Sequence, residues 1–140
     1  MCGILGFQLF NKGKTSYRKK LDTLIDSLSH RGPDSNGFWI DNDKRIYLGH
    51  TRLSIIDLSE KGTQPMQSNN GRYMIVFNGE IYNYQILRQQ LIKKFNVKFK
   101  NKTDTAVLLE SIAINGLKNT LKKLEGMFAF ALWDKKKKSL

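Results

Sequence analysis

The 140-residue sequence contains one cysteine, two histidines and two prolines, and its 12 acidic residues are outnumbered by 24 basic ones. A single cysteine excludes an intrachain disulfide framework, and with two histidines it offers none of the ligand spacings of zinc fingers or ribbons. A reducing compartment fits, and a cytoplasmic location is the expectation. No early segment joins a basic start to a long apolar run, and no stretch approaches the roughly 18 apolar residues needed to cross a bilayer, so neither a signal peptide nor a membrane helix is expected. Internal repeats and low-complexity linkers are missing too. With 40% hydrophobic residues the chain can bury one core, and a single domain over residues 1–140 is expected.

The shortage of acid leaves a net charge of +12, the electrostatic footprint of a nucleic-acid-binding module. Its distribution speaks against that class. Arg18-Lys19-Lys20, Lys93-Lys94, Lys98 to Lys102, Lys122-Lys123 and Lys135 to Lys138 are scattered over turns and polar helix faces, and the single aromatic within them, Phe99, makes no platform on which successive bases could stack. The charge reads as a solvated surface, without a nucleic-acid or membrane partner.

What is present begins at the N-terminus. Cys2 follows the initiator methionine, so removal of Met1 leaves a thiol and a free α-amine on one residue. Their unperturbed pKa values, about 8.5 and about 7.7 to 8.0, make that amine a usable base for its own thiol near neutral pH. Most free cysteines are small buried hydrophobes, so position alone proves nothing. Ile4 to Phe10 then reads as a strand ending at the Asn11-Lys12-Gly13 turn. Tyr17, Leu21, Leu24, Ile25 and Leu28 recur at helical spacing up to the His30-Arg31-Gly32-Pro33-Asp34 terminator. Segments 38–40 and 45–48 read as a hairpin, 49–58 as extended chain and 59–70 as a polar loop. Tyr73 to Phe77 and Met127 to Trp133 are apolar on both faces, which marks central strands of covered sheets. Between them two helices are expected, the first with Tyr84, Leu87, Leu91, Ile92 and Phe95 on one face, the second from Thr103-Asp104 to Gly116; a short third carries Leu117, Leu121 and Leu124.

Four further positions suit chemistry. Asn78-Gly79 follows the first apolar strand where the chain is expected to leave the sheet; it is either a plain turn or an amide and a backbone N–H aimed at an oxyanion. Arg52 is either a solvated surface group or a clamp for a carboxylate. Asp104 at a helix start is either an N-cap or an acceptor for an ammonium. Together with Cys2 they supply a nucleophile, its base, oxyanion donors and one charge of each sign, a set suited to an α-amino acid.

The motifs Met1-Cys2-Gly3-Ile4, Arg31-Gly32-Pro33-Asp34, Gly49 to Leu58, Gln64-Pro65-Met66, Phe77 to Asn83, Thr103-Asp104-Thr105 and Leu124 to Asp134 resemble, in order and over essentially the whole chain, the class II glutamine amidotransferase domain of asparagine synthetases. That resemblance implies an N-terminal-nucleophile hydrolase fold, a four-layer αββα sandwich of two antiparallel sheets flanked by helices. It implies that Cys2 attacks the glutamine side-chain amide, its α-amine moving the proton, and that a γ-glutamyl thioester then hydrolyses to glutamate. Asn78 and Gly79 are implied as the oxyanion hole, Arg52 as the grip on the α-carboxylate, Asp104 on the α-ammonium, and Leu53, Ile55, Ile56 and Glu80 as further parts of the glutamine pocket.

The ATP-using Ser-Gly-Gly-x-Asp-Ser loop of those synthetases is not found here, and neither is the family's strand after Phe-Ala-Leu-Trp-Asp with its Arg-Asp-Arg-x-Gly segment. The chain therefore reads as an incomplete domain that requires no cofactor itself, ATP and Mg belonging to a separate synthetase domain or subunit that accepts the ammonia. An inactive remnant of the same fold is the alternative, and homo-oligomerisation is left open. An unpaired Met127 to Trp133 edge leads to the further expectation that the isolated chain self-associates.

Overall fold

A computed structural model describes residues 2–8, 18–41, 43, 46–54 and 62–140. In it the apolar runs of the sequence become two three-stranded antiparallel sheets. The first has the order β1 (Gly3–Gln8), β3 (Ile46–Arg52), β2 (Ser35–Ile40). The second has the order β4 (Met66–Gln67), β5 (Tyr73–Ile81), β6 (Gly126–Asp134). Among the described residues there are also four α-helices, α1 (Arg18–Asp26), α2 (Tyr84–Phe95), α3 (Asp104–Asn115) and α4 (Leu117–Leu121), and a 3-10 turn at Ser29–Arg31.

Strand alternation explains how both faces of each sheet are covered, because neighbouring side chains on a strand point to opposite faces. On β3, Tyr47 faces α1 and packs with Leu21 and Ile25, while Ile46 and Leu48 face the other sheet. On β5, Met74 and Val76 meet them there, joined by Trp133 of β6. Tyr73, Ile75 and Phe77 point the other way, into Leu87 and Leu91 of α2 and Val107, Leu108 and Ile112 of α3. Three apolar layers thus separate α1, sheet, sheet and the α2/α3 pair, which is the expected four-layer αββα arrangement. Each large apolar side chain buried in them contributes about 1.5–3 kcal/mol.

Local details depart from the sequence reading in four places. The loop expected over 59–70 contains β4, a two-residue edge strand paired with Ile75 and Met74. β5 does not end at Phe77: it runs to Ile81, so Asn78-Gly79-Glu80 lie within the ladder, opposite Met127 to Ala129, instead of in a turn out of the sheet. Glycine makes this continuation possible, since Gly79 has φ +150 and a Cβ there would collide with the Met127 carbonyl oxygen. β6 is not covered on both faces at its start, for it is the edge strand among the described residues and Met127 is 73% exposed. On α2 the buried face is Leu87 and Leu91; Ile92 and Phe95 are exposed. The expected turn at Asn11-Lys12-Gly13, Tyr17 and the continuation of extended chain over 55–58 lie outside the described residues. No helix among those described is long and apolar enough to cross a membrane.

Candidate active site

The inter-sheet face changes character along the strands. Past the apolar residues Ile46 and Leu48, the same alternation on β3 brings His50 and Arg52 inward; on β5 it brings Asn78 inward after Met74 and Val76. Ile4 of β1 stands opposite His50 in the ladder and packs into the inter-sheet core, so Cys2, two residues earlier, is on that face as well. The result is a cavity of about 200 Å³ lined by Cys2, Arg52, Leu53, Asn78, Gly79, Glu80 and Asp104, with His50, Gln64, Thr103 and Thr105 in its walls. Seven of the nine residues singled out from the sequence thus share one cavity, although they are spread over a hundred positions of chain. The other two, Ile55 and Ile56, lie outside the described residues.

Cys2 is half-buried, and its sulfur accepts the Leu53 N–H at 3.4 Å and stands 3.7 Å from the Leu53 carbonyl oxygen. Leu53 thus offers an acceptor to the thiol and a donor to the thiolate. The Arg31-Gly32-Pro33-Asp34 turn builds this corner. Arg31 Nε donates to the Cys2 carbonyl at 3.2 Å, the Asp34 carboxylate accepts the Ser54 N–H at 2.6 Å, and the Asp34 N–H bonds the Arg52 carbonyl at 3.0 Å. Gly32 must be glycine, because a Cβ would run into the backbone of Thr51 and Arg52. The buried Arg52 guanidinium, 8% exposed, is flanked by Gly62 so closely that a Cβ there would strike its Nη2.

Asp104 is 4% exposed at the first turn of α3. It is not the cap: Thr103 fills that place, its hydroxyl accepting the Ala106 N–H at 3.1 Å. The Asp104 carboxylate instead takes the Ile81 N–H at 3.1 Å and the Thr105 N–H at 2.7 Å. Burial nevertheless pushes its pKa above the ordinary carboxylate value, outweighing those hydrogen bonds. No ion pair involving Asp104 is found among the described residues. His50, 1% exposed, is held down to a pKa of about 4 by burial first and by the Arg52 charge, with its bond to the Phe77 carbonyl pulling the other way. Its imidazole is therefore neutral at pH 7.

The free edge of β5 shows how a main-chain donor comes to face the cavity. Beyond β4 no strand among the described residues covers this edge, and side chains take over: Gln64 Oε1 accepts the Phe77 N–H at 2.6 Å, His50 Nε2 bonds the Phe77 carbonyl at 3.2 Å, and Asp104 accepts the Ile81 N–H. By strand alternation the Gly79 N–H points to the same edge. It lies between two occupied positions and opens on the cavity, with no side-chain partner among the described residues. The sequence reading missed His50, Gln64 and Arg31 as parts of this site. Each belongs to a motif quoted above, but their partners are backbone groups far along the chain.

Two packed antiparallel sheets with outer helices, and a half-buried Cys2 at the sheet ends, define the class of fold, that of the N-terminal-nucleophile hydrolases. The same fold is found in glutamine phosphoribosylpyrophosphate (PRPP) amidotransferase from B. subtilis, solved with ADP and GMP, with a TM-score of 0.70 and 22% identity over 96% of this chain and 35% of that one. The chain belongs to the glutamine amidotransferase domain family, whose model matches residues 1–140. It is 38% identical over 142 residues to asparagine synthetase [glutamine-hydrolyzing] 3 of Bacillus subtilis (strain 168), covering 100% of this chain and 22% of that protein. To amidase chry2 of Gibberella zeae it is 36% identical over 149 residues, again covering 100% of this chain and 22% of the relative. The chain thus spans about a fifth of the length of these curated relatives.

Proposed function

We propose that this chain is the glutaminase domain of a glutamine-hydrolysing asparagine synthetase, releasing ammonia from glutamine for amidation of aspartate on a separate ATP-dependent synthetase domain. The observation that carries the reading is the juxtaposition, in one cavity, of a nucleophile, a buried cation and a buried anion. Arg52 receives the α-carboxylate and Asp104 the α-ammonium, which fixes the substrate as a free α-amino acid and directs its side chain toward Cys2. Leu53 and Glu80 complete the pocket among the described residues.

In the reaction the free α-amine of Cys2 takes the thiol proton as the sulfur adds to the carboxamide carbon. Charge then develops on the carboxamide oxygen, where the Gly79 N–H and the Asn78 side-chain amide receive it. The proton passes to the departing nitrogen, ammonia leaves, and water cleaves the γ-glutamyl thioester to glutamate. None of these steps calls on a cofactor in this chain; ATP and Mg belong to the synthetase half. Glutamate release from glutamine by the chain beginning at Cys2, and its loss in Cys2→Ala, is the test. A Cys2→Ala chain as active as its parent would end this reading.

A further inference from the structure

His50 and Gln64 are not among the residues that meet glutamine in the reading above, yet both are buried in the cavity wall and both bond the backbone of Phe77. Phe77 immediately precedes the two oxyanion donors, and the strand that would normally hold its edge stops at Met66–Gln67. Since the acceptor at Phe77 is a carbonyl, the ring must carry its proton on Nε2, leaving Nδ1 as a lone pair; Nδ1 is buried with no hydrogen-bond partner among the described residues. The ring is thus tied through Nε2 alone to the peptide joining Phe77 to Asn78. Gln64 grips the same residue from its N–H side and passes on through Nε2 to the Thr105 hydroxyl at 3.4 Å.

We infer that His50 and Gln64 are positioning residues, a two-point clamp on the Phe77 backbone that fixes where the Asn78 and Gly79 donors stand relative to the Cys2 sulfur. This rests on the glutaminase reading for its catalytic consequence, but the clamp itself is a property of the strand. The geometry separates two substitutions of similar size. In His50→Gln the amide nitrogen replaces Nε2 and can still donate to the Phe77 carbonyl; in His50→Asn the shorter amide cannot reach it. Gln64→Met keeps the volume and removes the acceptor.

The test compares kcat and KM for glutamine in His50→Gln, His50→Asn and Gln64→Met, in chains beginning at Cys2, with amide hydrogen exchange read at Asn78. His50→Asn and Gln64→Met should lower kcat by about tenfold or more, short of the roughly 10² to 10³ lost with a donor itself, at nearly constant KM. His50→Gln should recover most of that loss. In the two impaired variants the Asn78 amide should exchange about tenfold faster than in the parent, relative to Ile75, through local opening. Unchanged exchange at Asn78 overturns the clamp, and so does a His50→Gln chain as impaired as His50→Asn. If the parent itself releases no glutamate, the functional reading falls, and the exchange data alone decide the clamp.

Discussion

Replacing Asp104 by asparagine should make the protein a worse enzyme and remove one source of pH dependence from its stability. The carboxylate is 4% exposed, accepts two backbone N–H groups, and joins no ion pair among the described residues. Burial raises its pKa above the ordinary value near 3.8, so the folded chain holds that proton more readily than the unfolded chain. Ionising Asp104 therefore costs stability: the cost is absent below about pH 3.8, grows as pH rises toward the raised folded value, and is complete above it. A neutral amide does not titrate, so the stability of Asp104→Asn should lack this pH dependence, while its NH2 must face one of the two backbone N–H groups that the carboxylate accepts, a cost of about 1–3 kcal/mol at every pH. A buried carboxylate outside any ion pair is also what an α-ammonium needs on arrival. A hydrogen bond to a charged group is worth about 1.5–3 kcal/mol, so losing it should raise KM about 10- to 150-fold, with kcat little changed. The assay is steady-state glutamate release from glutamine, set beside ammonia release from glutamine and from glutaramate, which is glutamine without its α-amino group. The parent should discriminate strongly between the two substrates and Asp104→Asn weakly, since the variant has nothing left with which to read the amine. If the variant keeps its preference for glutamine, Asp104 is not the ammonium site.

The other positions should fail in distinguishable ways. Arg52→Ala should chiefly raise KM, by the loss of about 1.5–3 kcal/mol of charge-assisted bonding, while Asn78→Ala should cost on the order of 10² to 10³ in kcat and leave KM nearly alone; the same pattern in both would refute the assignment. Gly62→Ala should copy the Arg52 phenotype in milder form, because its Cβ would displace the guanidinium without touching Cys2, and an unchanged KM would show that the guanidinium does not need its present place. Because His50 is held near pKa 4 against 6.5 unfolded, the unfolded chain takes up its proton first on acidification. Stability should be full above pH 6.5 and fall between 6.5 and 4, by at most on the order of 3 kcal/mol from this group. Urea melts of parent and His50→Gln across that range should converge at the acid end.

Much of this site could be read from the sequence because its groups announce themselves locally. Cys2 follows Met1, Arg52 is a lone cation in an apolar segment, and Asn78-Gly79 follows an apolar run. The layers were equally legible, since runs such as Tyr73 to Phe77 admit no exposed face. What could not be read was register. Whether β5 ends at Phe77 or runs to Ile81 depends on Gly126 to Ala129 pairing across from it, some fifty residues later. β4 is too short for any periodicity to show. His50 and Gln64 are invisible for the same reason: what they bond is a backbone position 27 and 13 residues away, and that backbone needs them only because β4 stops short. Asp104 stands at a helix start, as its sequence position suggests, but that it does not cap the helix depends on Thr103, whose hydroxyl takes that role.

The central claim is that Cys2 is both nucleophile and base, and one measurement addresses it. Two preparations of the same chain, one beginning at Cys2 and one retaining Met1 in front of it, each verified by intact mass, are assayed side by side for glutamate release. A peptide nitrogen is no base, so the chain that keeps Met1 should be inactive although folded, and only the chain beginning at Cys2 should turn over glutamine. Full glutaminase activity in the Met1-retaining chain would contradict the mechanism.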